Sequence, residues 1–175
     1  MKTVLIAILL WSGGARAESA LFVGPIFGET SYSTSSGGTN RDSQSSYGGE
    51  GLYVWNNWMG GLSYSEYSVA PTGNSTFNVG QDDKDIEAEI KYRFLMGPLS
   101  PFIGLGAGTL IQTVKTSLFE ANESDQGDFF IKEVGGGVLW KFMSNFGVSA
   151  TAEYYQYSNV TGFKYYITLG FFPVF

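Results

Sequence analysis

Between Asp85 and Phe94, the residues Ile86, Ala88, Ile90, Tyr92 and Phe94 alternate without a miss with Glu87, Glu89, Lys91 and Arg93. A strand sends successive side chains to opposite faces, so every apolar residue shares one face and every charge the other. A helix would scatter both sets around its axis, so this stretch predicts a half-buried strand. Seven further segments repeat the pattern less strictly: residues 20–32, 47–55, 58–67, 101–112, 129–142, 146–157 and 163–174. Their connections are unequal. Residues 56–57, 95–100 and 143–145 are short turns, whereas 33–46, 68–84 and 113–128 read as long polar loops, with a shorter polar link at 158–162. Short turns on one side and longer loops on the other describe an eight-stranded antiparallel up-and-down meander, an all-β fold.

Composition narrows the chemistry. Charged residues make up only 15% of the 175, aromatics 17%, and the chain has 24 glycines but neither cysteine nor histidine. Thiolate zinc sites, disulfides and cysteine nucleophiles are excluded, and the commonest proton shuttle and metal ligand is missing. The formal charge of −6 argues against nucleic acid, whose phosphates require a basic patch.

The first seventeen residues read as a targeting segment. Lys2 precedes an apolar run to Trp11, and Ala15-Arg16-Ala17 has the small-x-small form of a signal-peptidase site. Cleavage after Ala17 is expected, leaving residues 18–175 as one barrel domain. Losing Lys2 and Arg16 leaves eight basic against sixteen acidic residues. No long apolar run follows that would make a membrane-spanning helix.

Alternation alone leaves open whether the apolar face points into a soluble barrel or out toward lipid. Three features favour lipid. Aromatics gather where strands meet the short turns, so that Trp55, Trp58, Phe94, Trp140 and Phe146 form a candidate interfacial girdle. The opposite face carries Glu50, Glu87, Glu89, Lys91, Arg93, Glu133, Lys141, Glu153 and Lys164, whose five acids and four bases nearly cancel and are expected to pair inside a narrow lumen. The last segment places Tyr165, Ile167, Leu169, Phe171 and Phe175 at its apolar positions, an aggregation liability for a soluble protein.

On these features the mature segment resembles the small Gram-negative outer-membrane β-barrels of the OmpA/OmpX type. Pro173 departs from the alternation of the last strand and weakens its ladder. The resemblance implies an outer-membrane location, both termini in the periplasm, surface-exposed loops, and recognition of Tyr165, Ile167, Leu169, Phe171 and Phe175 by the barrel-assembly machinery. It also implies contact with outer-membrane lipid and lipopolysaccharide. A monomer is expected, with the surface partner open.

Other motifs carry less. Residues 104–109, Gly-Leu-Gly-Ala-Gly-Thr, lack the lysine and following helix of a phosphate loop and read as a strand with inward glycines. The acidic groups Asp82, Asp83 and Asp85, and Glu120, Glu123, Asp125 and Asp128, lack calcium-loop spacing and read as solvated loops. Tyr32, Arg41, Phe77 and Phe119 are loop positions able to make surface contacts. With no histidine to activate a serine, no enzyme activity and no cofactor are expected. The sequence therefore points to a non-enzymatic envelope barrel with a structural or surface-interaction role and a lumen too full of side chains for a large pore. A narrow channel for small or apolar solutes and a secreted lipocalin-like ligand-binding barrel are the alternatives.

Overall fold

A computed structural model describes the backbone of residues 19–34, 43–74, 77–118 and 121–172, and most of their side chains. Eight strands follow in order: β1 (Ser19–Thr34), β2 (Ser43–Trp55), β3 (Trp58–Asn74), β4 (Phe77–Arg93), β5 (Leu99–Leu118), β6 (Ala121–Lys141), β7 (Phe146–Tyr157) and β8 (Val160–Phe171). Each pairs antiparallel with the next and β8 pairs with β1, so the sheet closes into a barrel. The segment expected to be a signal peptide, Arg41, Phe119 and Pro173 to Phe175 lie outside the described residues, as do the side chains of Tyr32 and Phe77.

The register fixes the barrel's shape. From Val23 the ladder passes through Gly51, Leu62, Ala88, Ala107, Lys132, Gln156 and Thr161 and returns to β1 at Ser33, ten residues on. Such a stagger over eight strands tilts them about 40° from the axis. At the closing seam the ladder lacks Gly24 and Pro25, where proline has no amide hydrogen to donate.

Two of the expected long loops are strand for most of their length. β3 and β4 stay paired up to Asn74 and Phe77, and β5 and β6 up to Leu118 and Ala121, so residues 68–84 and 113–128 are mostly ladder. Apolar alternation marks a strand in sequence only where one face meets an apolar surrounding, while backbone pairing needs none of it. In contrast, β2 leaves β3 after the Ser46–Tyr67 pair, and β7 joins β6 only from the Lys132–Gln156 pair. A four-stranded sheet therefore projects beyond the barrel, with residues 68–74 and 121–131 as its two edges. The β3 edge is interrupted by Pro71 and a register shift between Val69 and Thr72, whereas the β6 ladder runs without a break.

Outward side chains are apolar in a band. Val23, Leu62, Ile86, Ile90, Ile103, Leu105, Val134, Val138, Ile167 and Leu169 are all exposed large hydrophobics. At the short-turn rim Trp55, Trp58, Trp140 and Phe146 are exposed, and Phe94 is half-buried against Tyr92, which in turn meets Trp58 edge-on at 5.1 Å. Toward the projecting sheet lies a second aromatic ring that the girdle expected from sequence did not include: Phe27, Tyr47, Tyr64, Phe130, Tyr154 and Phe163. On β6, Trp140 and Phe130 are ten residues apart, about 33 Å along the strand and about 25 Å along the axis at this tilt. That is the height of the apolar band on an outer-membrane barrel. Lys132 stands on this outer face beside the second ring, its ammonium 5.9 Å from the centre of the Phe130 ring.

Above the second ring the sheet is held by exposed polar contacts. The Lys115 ammonium and the Ser68 hydroxyl both donate to Asp82 and hold its carboxyl below the usual range. The Tyr64 and Tyr47 hydroxyls and Lys84 do the same for Glu66. A lowered carboxylate contributes stability above its ordinary range and loses it as pH falls through the lowered one. The difference in amide protection between the wild type and Lys115→Ala is therefore expected at neutral pH and should vanish in acid, read by hydrogen exchange across the β4–β5 ladder.

Candidate functional site

The lumen is built in layers. Near the short turns Phe22, Leu52, Val54, Met59, Phe102, Leu139 and Phe172 form an apolar plug. Toward the projecting sheet Tyr67, Leu110, Ile131, Tyr155 and Tyr157 form a second. Between them the inward face of the strands is ionic, and its charges sort into two cages.

In the first cage the Lys91 ammonium meets three carboxylates: it donates to Glu50 at 2.8 Å, pairs with Glu89, and lies 3.9 Å from Glu153. The Tyr166 hydroxyl donates to Glu153 at 2.9 Å and the Thr168 hydroxyl to Glu50 at 2.9 Å, so two neutral groups take up further acceptor capacity. In the second cage the Lys164 ammonium donates to Asp85, Glu87 and Glu133, the last at 2.5 Å. The rings of the adjoining plugs cap the cages, Phe102 lying 5.4 Å from the Lys91 ammonium and Tyr155 lying 5.3 Å from that of Lys164. All of these lysines and acids are buried. Charges taken this far from water are tolerable only when paired and hydrogen-bonded.

Glycine makes the room. Several long cage side chains face an inward glycine across a ladder: Glu87 opposite Gly108, Glu89 opposite Gly106, Lys91 opposite Gly104, and Glu153 opposite Gly135. A Cβ added at Gly135 would collide with the Glu153 side chain and the Ala152 carbonyl. Gly135→Val is expected to cost about 1–3 kcal/mol as overpacking, measured by urea unfolding in detergent micelles.

Lys141 and the pair Asp83 and Asp85 are placed differently from what the sequence predicts, while Arg93 is inward and buried as its parity requires. Lys141 lies on the inward parity but one step past the first plug, where its ammonium reaches water 5.0 Å from the Phe172 ring, so it belongs to no cage. Arg93 sits one inward step from Lys91 toward the turn and donates to the Asn56 carbonyl at 2.7 Å. Asp83 and Asp85, expected in a solvated loop, are each 1% exposed, because β4 extends back past Ile86 with the same alternation. The lumen charges therefore do not cancel. The cages hold six carboxylates and two ammoniums, and counting Arg93 still leaves acids in excess.

The signal that could have found Asp85 was the unbroken parity of Asp83, Asp85, Glu87 and Glu89. Tyr166 and Thr168 share the same inward face of β8 as Lys164. Their outward neighbours Tyr165, Ile167, Leu169 and Phe171 are exposed along the barrel wall. Among the described residues the second plug and second cage leave no wide passage through the axis.

An antiparallel barrel of eight strands, closed at this stagger, with an apolar outer band between two aromatic rings and an ionic interior, has the fold of the outer-membrane β-barrels of the OmpA/OmpX type. Among solved structures, Ail, the attachment invasion locus protein of Yersinia pestis, superposes with a TM-score of 0.65 at 17% identity, covering 91% of this chain and 100% of Ail. Neisserial surface protein A gives 0.65 at 18%, covering 88% and 99%. The N-terminal barrel domain of Pseudomonas aeruginosa OprF gives 0.56 at 17%, covering 90% and 100%. At these identities the likeness is one of fold. No protein-family model and no curated protein sequence matches the chain.

Proposed function

We propose that the protein is a non-enzymatic barrel of the bacterial outer membrane, anchored by its wall and acting through the sheet that projects from it. The observation that carries this reading is the projection of β3 to β6 beyond an apolar band of about 25 Å. A band of that height, bounded by aromatic rings, suits lipid, and the sheet beyond it stands in water. The termini then lie in the periplasm with the short turns, and the projecting sheet lies outside the cell.

The edge of β6 offers unpaired backbone donors and acceptors, and an extended segment of another protein would add to it as a further strand. Glu123, Asp125 and Asp128 on that edge favour a segment carrying basic residues. Ail has been crystallised with the heparin analogue sucrose octasulfate. The acidic edge here disfavours so anionic a ligand. Lipopolysaccharide and outer-membrane lipid are the proposed partners of the wall, and the barrel-assembly machinery that of β8 during insertion. The two plugs weigh against a solute channel, and planar-bilayer recording is expected to show no steady single-channel steps.

Cysteine labelling in whole cells tests the placement. Gln126→Cys on the projecting sheet is expected to react with a membrane-impermeant maleimide in intact cells, and Asn56→Cys only after the outer membrane is opened. The opposite pattern, or recovery of the chain in the soluble fraction without detergent, overturns the reading.

A further inference from the structure

The second cage holds more acceptor atoms than its one ammonium can serve. An ammonium has three protons to donate. Those of Lys164 go to Asp85, Glu87 and Glu133, one to each. Asp85 Oδ1 and Glu133 Oε2 are left without a hydrogen-bond partner, although their residues are only 1% and 6% exposed. Buried polar atoms of native proteins are otherwise almost always satisfied.

The charges give a second, independent count. Three carboxylates around one ammonium leave a formal excess of two negative charges, and oxygens of the three lie within 4.8 Å of one another. Like charges so close together and so far from water do not all stay ionised. The groups facing the cluster from other strands do not relieve it. Tyr67 on β3 turns to Asp83, Tyr155 on β7 donates to the Ser31 carbonyl at 3.1 Å, and Tyr166 on β8 donates to Glu153. Glu89 and Glu153 add acid rather than base, and the Lys91 ammonium is held by the three carboxylates of its own cage. Arg93 stands three inward steps from Glu87, toward the turn.

We propose that the second cage keeps a bound proton, shared among Asp85, Glu87 and Glu133, and that this proton makes the barrel interior an alkali-sensitive lock. A proton on one carboxyl turns an acceptor into a donor toward its neighbours and removes half of the excess charge. The unfolded chain releases such protons in the ordinary carboxylate range, near about pH 4, so above that range folding takes a proton up. Stability contributed by the cage is therefore full in acid and falls as pH rises, until the cage itself lets the proton go. The exposed contacts of Asp82 and Glu66 respond in the opposite sense. Acid thus loosens the projecting sheet while the barrel beneath it stays locked. The inference concerns the lumen and does not depend on what the projecting sheet binds.

Glu133→Gln tests it, because an amide of the same shape replaces one carboxyl and leaves the other two with Lys164. In phospholipid vesicles the urea-unfolding constant of the wild type is expected to rise with pH more steeply than that of the variant, by up to about tenfold per pH unit above about pH 5. Infrared spectra of the folded protein at neutral pH give a direct reading. The C=O stretch of an un-ionised carboxyl should be present in the wild type and weaker in the variant. Glu87→Gln carries the same comparison should Glu133→Gln lack the heat-modifiable gel migration of a folded barrel. Parallel pH profiles for the wild type and a folded variant overturn the proposal, and so does a wild type without an un-ionised carboxyl band at neutral pH.

Discussion

Lys164→Met is expected to destabilise the barrel by about 3–5 kcal/mol, the cost of stranding buried charges whose partner has been removed. Asp85, Glu87 and Glu133 all converge on that one ammonium, so its loss leaves three carboxylates facing each other around an apolar side chain. Urea unfolding in phospholipid vesicles, followed by tryptophan fluorescence, measures the loss. The decisive control is the rescue: adding Asp85→Asn and Glu133→Gln to Lys164→Met should return most of the stability, because neutral amides no longer repel. If the single change costs no more than a surface substitution, or the added changes make it worse, the cage is not an ionic unit.

Leu105→Arg should cost about 2–4 kcal/mol in the same vesicles, because a guanidinium near the middle of the lipid face must be stripped of water. Leu105 lies on the outward face of β5, 61% exposed, between ring-forming residues at either end of the wall. The paired control, Gln126→Arg on the projecting sheet, is exposed beyond the lipid and should stay within about 0.5 kcal/mol. A water-soluble barrel would tolerate both changes equally, so equal costs would overturn the membrane reading.

Much of this architecture is legible in the chain because lipid imposes a strict rule. Inside the membrane each outward residue must be apolar, so the alternation from Ile86 to Phe94 marks the strand, the aromatic rim and the charged opposite face mark its sidedness, and the short turn at Asn56 and Asn57 marks the connection. Asn56 takes a left-handed conformation, φ 50°, which asparagine adopts more readily than most residues. The rule stops where the lipid stops. Residues 68–84 and 113–128 carry a polar, glycine-containing sequence that reads as loop, although the backbone continues in register. Asp83 and Asp85 read as solvated for the same reason.

The cages show a second limit. Alternation supplies the inward list, but which acid meets which lysine depends on the stagger that brings β2, β4, β6, β7 and β8 together around the axis. Lys91 meets Glu50, 41 residues away, and Lys164 meets Asp85, 79 away. No local pattern encodes those meetings. Lys141 illustrates the converse: it has the right parity, but its place at the end of β6 hands its ammonium to solvent.

The two margins of the projecting sheet differ in kind, and this limits stoichiometry. Pro71 and the adjacent register shift deny β3 a continuous run of hydrogen-bonding groups, while β6 keeps one. A unit with a single receptive margin can be capped once, by a foreign segment or by the same margin of a neighbouring copy, and growth then ends. A second strand therefore has one place to add, and pairing there leaves no further margin from which an open-ended filament could grow.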